Sequence, residues 1–259
     1  MKTNYHTHNY RCKHAVGTVD EYAREAIKAG LEELGFSDHM PHPGKDIDNK
    51  SRMKYEELSE FFKEVDEAKE KYKDKISIRK GMECEYFEDY PWLYNELREE
   101  YKVDYLILGV HFFPYKGEWL YVGGAELDKD MLEAYTDYVI ESMRSKNFVY
   151  IAHPDLFGLT YRDFDEHSIK ASRRILETAE KLDMPIEINV NGLRKPRIKY
   201  NLGERYRYPM EEFWKLSKEY KVRRIIGIDA HNPIELLDRK MGEDFAKELG
   251  LEVIEKLEF

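Results

Sequence analysis

Nine histidines stand in this 259-residue chain. Their spacing is what could do chemistry. Seven of them, His6, His8, His14, His39, His111, His153 and His231, fall at or just beyond the C-terminal end of a short apolar run. Glu83 and Asp229 occupy the same kind of place. His6-x-His8 puts two imidazoles on one face of a strand, because alternate residues of a strand point the same way. Both can then reach one ion. Imidazoles and carboxylates without thiolates suit zinc, manganese or iron better than a calcium cage. So many donors exceed the four to six positions of a single ion, so two or three divalent ions are expected, with a carboxylate shared between them. Cys12 and Cys84 lack the spacing of a thiolate zinc site and are expected to be core or near-site residues.

Donors this far apart in sequence converge only if the runs that carry them end on one side. The runs lie near 3–7, 34–37, 76–83, 105–111, 148–153, 185–190 and 224–229, and they are β-branched, aromatic or leucine-rich. Helical patterns separate them. Val19, Tyr22, Ala23, Ala26 and Ile27 share one face, with Thr18 and Glu21 as a capping box and Gly30 at the end. Further helices are expected near 55–73, 91–101, 129–146, 167–182, 209–220 and 233–249. Alternating strands and helices imply a parallel sheet, whose strand ends all face one mouth. Seven such units predict an α/β protein with a closed or nearly closed barrel. An open doubly wound sheet competes, but no GxGxxG or GxxxxGK[ST] follows a strand.

Composition is ordinary for a globular chain, with 42% hydrophobic and 36% charged residues. One domain over 1–259 is expected. No apolar run approaches the ~20 residues that cross a bilayer. The first residues hold no apolar signal-peptide core, so a cytoplasmic location is expected. Net charge is −10, which opposes long nucleic acid. The stretch 194–207 is a local exception with six basic residues, Arg194, Lys195, Arg197, Lys199, Arg205 and Arg207. A basic loop on an acidic protein suits a small anion.

Tyr5-His6-Thr7-His8, His14, Gly35-Phe36-Ser37-Asp38-His39, Gly81-Met82-Glu83, His111, His153-Pro154-Asp155 and Asp229-Ala230-His231 together resemble the PHP (polymerase and histidinol phosphatase) family. The likeness runs from residue 4 to about 235. It implies a distorted (β/α)7 TIM-like barrel with a trinuclear metal site at the C-terminal strand ends. It also implies a division of donors: His6, His8, Glu83 and Asp229 for one ion, Glu83 with His111 and His153 for a second, and His14, His39 and His231 for a third. Glu85 rivals Glu83 as the shared carboxylate, and the Gly-x-Glu pattern favours Glu83. Within the family, residues 37–43 and 187–196 resemble the loops of stand-alone histidinol-phosphate phosphatases.

The resemblance therefore implies phosphomonoester hydrolysis, with a hydroxide shared by two ions attacking phosphorus. Arg162 and Arg197, with Arg194 behind them, are candidates to grip phosphate, since a guanidinium matches its geometry. His42 is a candidate to protonate the leaving alkoxide or to bind phosphate. Asp155 is a second candidate acid. Asp38, Glu85 or loop carboxylates are candidates for the cationic end of the substrate. His167 is expected to be structural or exposed. Competing readings keep the metals and change the reaction: a PHP phosphoesterase acting on another small ester or a nucleic-acid end, or an amidohydrolase-like enzyme. No lysine ends a middle strand, which counts against the last. A metal-binding protein without catalysis is a third reading. The sequence leaves oligomeric state open.

Overall fold

Thr18 and Glu21 open the first helix as their spacing predicts. The Thr18 hydroxyl accepts from Glu21 N at 3.3 Å, and Glu21 returns a carboxylate oxygen to Thr18 N at 2.7 Å. That satisfies two of the donors a helix start leaves open. The helix, α1 (Val19–Lys28), buries Val19, Tyr22, Ala23 and Ala26, and Gly30 follows it with φ +70°. This computed structural model describes residues 2–45, 47–48 and 50–258.

The strands are β1 (Thr3–Asn4), β2 (Glu33–Phe36), β3 (Ser77–Cys84), β4 (Tyr105–Leu108), β5 (Phe112–Tyr115), β6 (Glu118–Tyr121), β7 (Tyr150–Ile151), β8 (Ile186–Asn189), β9 (Ile198–Tyr200), β10 (Gly203–Arg205) and β11 (Arg224–Gly227). Seven of them form the main sheet, in the order β1-β2-β3-β4-β7-β8-β11. Chain order and sheet order agree, as repeated strand–helix units of a (β/α)7 barrel require. A doubly wound sheet would reverse its order at a switch point, and this one does not. The pairs β1/β2, β2/β3 and β7/β8 are parallel.

The later helices are α2 (Leu58–Tyr72), α3 (Pro91–Glu99), α4 (Lys129–Arg144), α5 (Glu166–Leu182), α6 (Val190–Leu193), α7 (Glu211–Leu216) and α8 (Arg239–Leu249). Three differ from expectation at their ends. The helix expected over 55–73 begins as a 3-10 turn, Tyr55–Glu57. The one expected over 209–220 is α7 followed by a 3-10 turn, Ser217–Glu219. The one expected over 233–249 opens with a 3-10 segment, Pro233–Asp238, before α8. Two antiparallel hairpins, β5–β6 and β9–β10, stand where loops are expected.

The chain packs as two compact units. The first runs from the N-terminus to Ile107 and adds Gly227–Lys240 and the stretch from Glu255 onward; the second holds Leu108–Ile226 and Met241–Ile254. The first is built around Tyr105, which is buried, its hydroxyl donating to Tyr5 O at 2.7 Å. Gly35 and Gly81 make room for that ring. A Cβ on Gly81 would lie 2.3 Å from it, and one on Gly35 would lie 2.1 Å from its oxygen. In the second unit Phe113 packs edge-on against Tyr135, which also meets Phe157.

β1 is shorter than the expected run because side chains take over its pairing. Asn4 donates to His6 O at 3.0 Å and to Thr7 Oγ1 at 2.7 Å, and accepts from Ile228 N at 2.8 Å. Beyond it, His8 N donates to Ala230 O at 3.0 Å and Ala230 N to His6 O at 3.3 Å. The segments carrying His6-x-His8 and Asp229-x-His231 therefore run side by side.

Candidate metal centre

Buried imidazoles and carboxylates converge at the strand ends of the first unit. Glu83 Oε2 lies 3.4 Å from His6 Nε2, 3.5 Å from His8 Nε2 and 2.8 Å from His39 Nδ1. Asp229 Oδ1 lies 3.1 Å from His8 Nε2, 3.6 Å from His6 Nε2 and 3.4 Å from His231 Nδ1. His6, His8, His39, Glu83 and Asp229 are all buried. Donor atoms of His6, His8 and Glu83 fall within 4.8 Å of one another, as do those of His8, His39 and His231. Nitrogen and oxygen lone pairs this close, out of water, are the donor set of a divalent ion.

The outer part of the cluster has fixed tautomers. His14 Nδ1 faces Cys12 O at 2.8 Å, and His231 Nδ1 faces Asp229 O at 3.1 Å. A carbonyl only accepts, so each Nδ1 carries the proton and each Nε2 presents a lone pair. The two Nε2 atoms are 2.9 Å apart. Two lone pairs facing at that distance repel unless a cation or proton lies between them. Cys12 Sγ also stands within 4.8 Å of the His14 and His231 donors. It bonds Asn9 O at 3.1 Å, and burial pushes its pKa up, which holds it as a thiol.

Charge follows the same logic. Burial disfavours a charge on His8, but hydrogen bonding to Asp229 and Asp38 outweighs it, and its pKa is pushed up to about 9. Burial, helped by the charge on His8, pushes His231 down to about 3. Burial likewise holds His39 well below the usual range. Asp229 is held well below the carboxylate range because His6, His231 and His8 overcome its burial. The carboxylates recruit positive charge, and crowding limits how many imidazoles can supply it. A bound cation would relieve both.

In the second unit His111 and His153 form an edge-on pair with centroids 4.8 Å apart. His153 has φ +30°, and Asp229 in the first unit has φ +49°. Left-handed backbone at two non-glycine strand ends is strain of the kind that functional sites store. Asp155 is buried and accepts from Met210 N at 2.5 Å. Burial pushes its pKa up to about 7.

Other candidates are engaged elsewhere. Glu85 pairs with the buried Arg52 at 2.9 Å, whereas Glu83 faces the imidazoles of His6, His8 and His39. Asp38 is fully buried and turned inward to His8, His39 N and Asn9 N, so it does not present itself to a substrate. Arg197 donates to Glu211 at 2.6 Å and to Glu204 O at 2.7 Å, and lies over Tyr206. Arg162 is exposed, 3.7 Å from Glu126. Arg194 is half-buried at the end of α6. His42 is buried, with Nδ1 3.2 Å from Ile47 O. It borders a cavity of about 650 Å³ with Lys13, Arg52 and Tyr55. His167 is part-exposed at the start of α5, as expected.

Sequence reasoning missed Arg205. It is fully buried and donates to the carbonyls of Tyr161, Arg162, Tyr206 and Arg207 at 2.7–3.0 Å. It ties the loop after β7 to the segment that supplies Met210. Its place in a basic stretch gave no sign that its partners would be carbonyls.

A family model for the PHP domain matches residues 4–191. A Deinococcus radiodurans protein named "Probable histidinol-phosphatase" is 30% identical over 239 residues, covering 89% of this chain and 86% of its own. The histidinol-phosphatase of Bacillus subtilis is 29% identical over 260 residues, covering 89% of this chain and 94% of its own. The crystal structure of a histidinol phosphate phosphatase from Lactococcus lactis, complexed with zinc, L-histidinol and phosphate, superposes with a TM-score of 0.73. It is 18% identical and covers 98% of this chain and 95% of that one, so the likeness shows a shared fold.

Proposed function

The chain belongs to the PHP domain family, and from that premise we propose that it is a metal-dependent histidinol-phosphate phosphatase, acting in the cytoplasm on L-histidinol phosphate to release L-histidinol and phosphate. The observation that carries the reading is the convergence of His6, His8, His39, Glu83 and Asp229 in one buried cluster. Similarity over 89% of this chain to proteins named for this activity supports the substrate.

His6, His8, Glu83 and Asp229 would hold one ion, and His14, His39 and His231 another. His111 and His153 are a further pair of donors. Two or three ions of zinc, manganese or iron are proposed. Bound divalent ions supply a water of lowered pKa and neutralise phosphoryl oxygens. The chain's own part is to hold them. Asp38, through His8 Nδ1, keeps Nε2 as a donor. The carbonyls of Cys12 and Asp229 do the same for His14 and His231. His42 and Asp155 remain the proposed proton donors to the leaving alkoxide, and Arg162, Arg194 and His42 the proposed phosphate contacts. Arg197 would have to exchange Glu211 for phosphate to join them.

The test is turnover by purified, metal-loaded protein of L-histidinol phosphate beside sugar phosphates, nucleotides and glycerol phosphate. A preference of 100-fold or more in kcat/KM for histidinol phosphate is expected. Equal values across the panel would overturn the substrate. Loss of all turnover on chelation, restored by zinc or manganese, is expected; unchanged turnover would overturn the metal role.

A further inference from the structure

Glu85 stands two residues beyond Glu83, yet the metal cluster does not use it. It is buried, where a lone carboxylate would be costly, and its partner is the buried Arg52. Arg52 Nη2 donates to Glu85 Oε1 at 2.9 Å. Nη1 reaches Met40 O at 3.5 Å, and Nε lies 3.5 Å from Asp48 Oδ2. A buried ion pair seldom adds more stability than an apolar pair of the same volume. What a guanidinium adds is direction, because its planar fork holds two acceptors at fixed angles.

Both acceptors flank metal donors. Met40 follows His39, and Met40 N donates to Glu83 O at 2.8 Å. The backbones of His39 and Glu83 pair in parallel there, and His39 Nδ1 lies 2.8 Å from Glu83 Oε2. Residues 37–54 connect β2 to the 3-10 turn at Tyr55. The described ones form no helix, and their one strand-like pairing is that bridge at His39. So long a connection is loose unless side chains tie it. Arg52, near its far end, reaches back to Met40, near its start, and across to Glu85 just beyond β3. One guanidinium thus closes the loop against the strand that carries Glu83.

We propose that Arg52 is a positioning residue for the metal centre: acting through Met40 and Glu85, it braces His39 as a donor. The inference rests on the metal-dependent reading above. The other donors of this unit have separate supports. His6, His8 and Asp229 sit on segments paired through Ala230, and Val16 N ties the segment bearing His14 to His231 O at 2.9 Å. Glu83 N is held by Ser37 O and Asp38 O at 3.2 and 3.1 Å. Loosening Arg52 therefore frees His39 first. The ion proposed for His14, His39 and His231 weakens, while the one proposed for His6, His8, Glu83 and Asp229 stays.

The test is titration of metal-stripped protein with cobalt(II), read by its visible absorption, and with zinc against a chromophoric chelator. Arg52→Lys keeps a charge for Glu85 and removes the fork. The double variant Arg52→Met, Glu85→Met replaces the pair with apolar bulk and leaves neither charge buried alone. In each, one ion is expected to bind about 10- to 100-fold more weakly and another as in wild type, with the metal-free form still melting cooperatively. Equal weakening of all ions is the mark of a merely structural part and overturns the brace. If the double variant does not fold, Arg52→Lys decides alone. A wild-type protein that binds no ion overturns the metal reading and the brace with it. Ions bound by the wild type and held with unchanged affinity by a folded variant overturn the brace alone.

Discussion

Asp38→Asn should weaken metal binding about 10- to 100-fold while leaving the chain folded. Asp38 is fully buried and meets three donors: His8 Nδ1 at 3.3 Å, His39 N at 2.7 Å and Asn9 N at 3.3 Å. An acceptor facing Nδ1 keeps the proton there. An ion that displaces the Nε2 proton would then meet a lone pair beside Asp229 Oδ1 and Glu83 Oε2, which lie 3.1 and 3.5 Å from Nε2. Asparagine has the same shape but one oxygen and one NH2. His39 N and His8 Nδ1 share Oδ1, and Asn9 N meets Oδ2. With the amide oxygen in the Oδ1 place, the NH2 sets two donors against each other at Asn9 N. With the amide turned over, the NH2 faces His39 N and His8 Nδ1 and favours the His8 tautomer with the proton on Nε2, the atom an ion needs.

Losing a hydrogen bond to a charged group costs about 1.5–3 kcal/mol. At about 1.4 kcal/mol per tenfold, that is roughly 10- to 100-fold in affinity. The assay is zinc or manganese titration of metal-stripped protein against a chromophoric chelator, with melting of the metal-free form as a control for folding. A wild-type affinity in a folded Asp38→Asn protein would refute the argument that this carboxylate sets the His8 tautomer.

Gly81→Ala places a Cβ about 2.3 Å from the Tyr105 ring and should cost roughly 1–3 kcal/mol as overpacking; an unchanged melting temperature would contradict the packing of Tyr105 between Gly35 and Gly81. Glu33 accepts from Tyr5 Oη at 2.6 Å, Ser77 Oγ at 3.0 Å and Arg79 Nε at 3.0 Å, and these partners outweigh its burial and hold its pKa below the ordinary 4.5. A carboxylate whose folded pKa is depressed adds stability above its unfolded pKa and loses it as pH falls through the folded value. Glu33→Gln should therefore lower the melting temperature at neutral pH, with the gap to wild type closing as pH drops below 4.5; a gap that widens in acid would reverse the sign.

The convergence of the cluster's imidazoles and carboxylates was legible because their placement follows from periodicity. A histidine at a strand end is positioned by backbone alone, and parallel strands bring such ends together. The capping box at Thr18 was legible for the same reason, since its partners are three residues apart. What the sequence hid depends on partners brought by the fold. Arg197 reads as a phosphate grip until Glu211 and Tyr206 are seen to hold it. Asp38 and Glu85 read as open carboxylates until His8 and Arg52 are seen to use them. Arg205 reads as part of a basic loop suited to a small anion until backbone carbonyls enclose it. The β5–β6 hairpin did leave a local sign. Lys116-Gly117 between runs of aromatic residues is a two-residue turn, overshadowed because the apolar run before it extends to His111. Charge partnership is the common element. A metal donor needs only a lone pair in the right place, which a strand end provides. An anion-binding arginine needs to be spared by every carboxylate of the fold, and on a chain with 52 acidic residues that condition cannot be read one residue at a time.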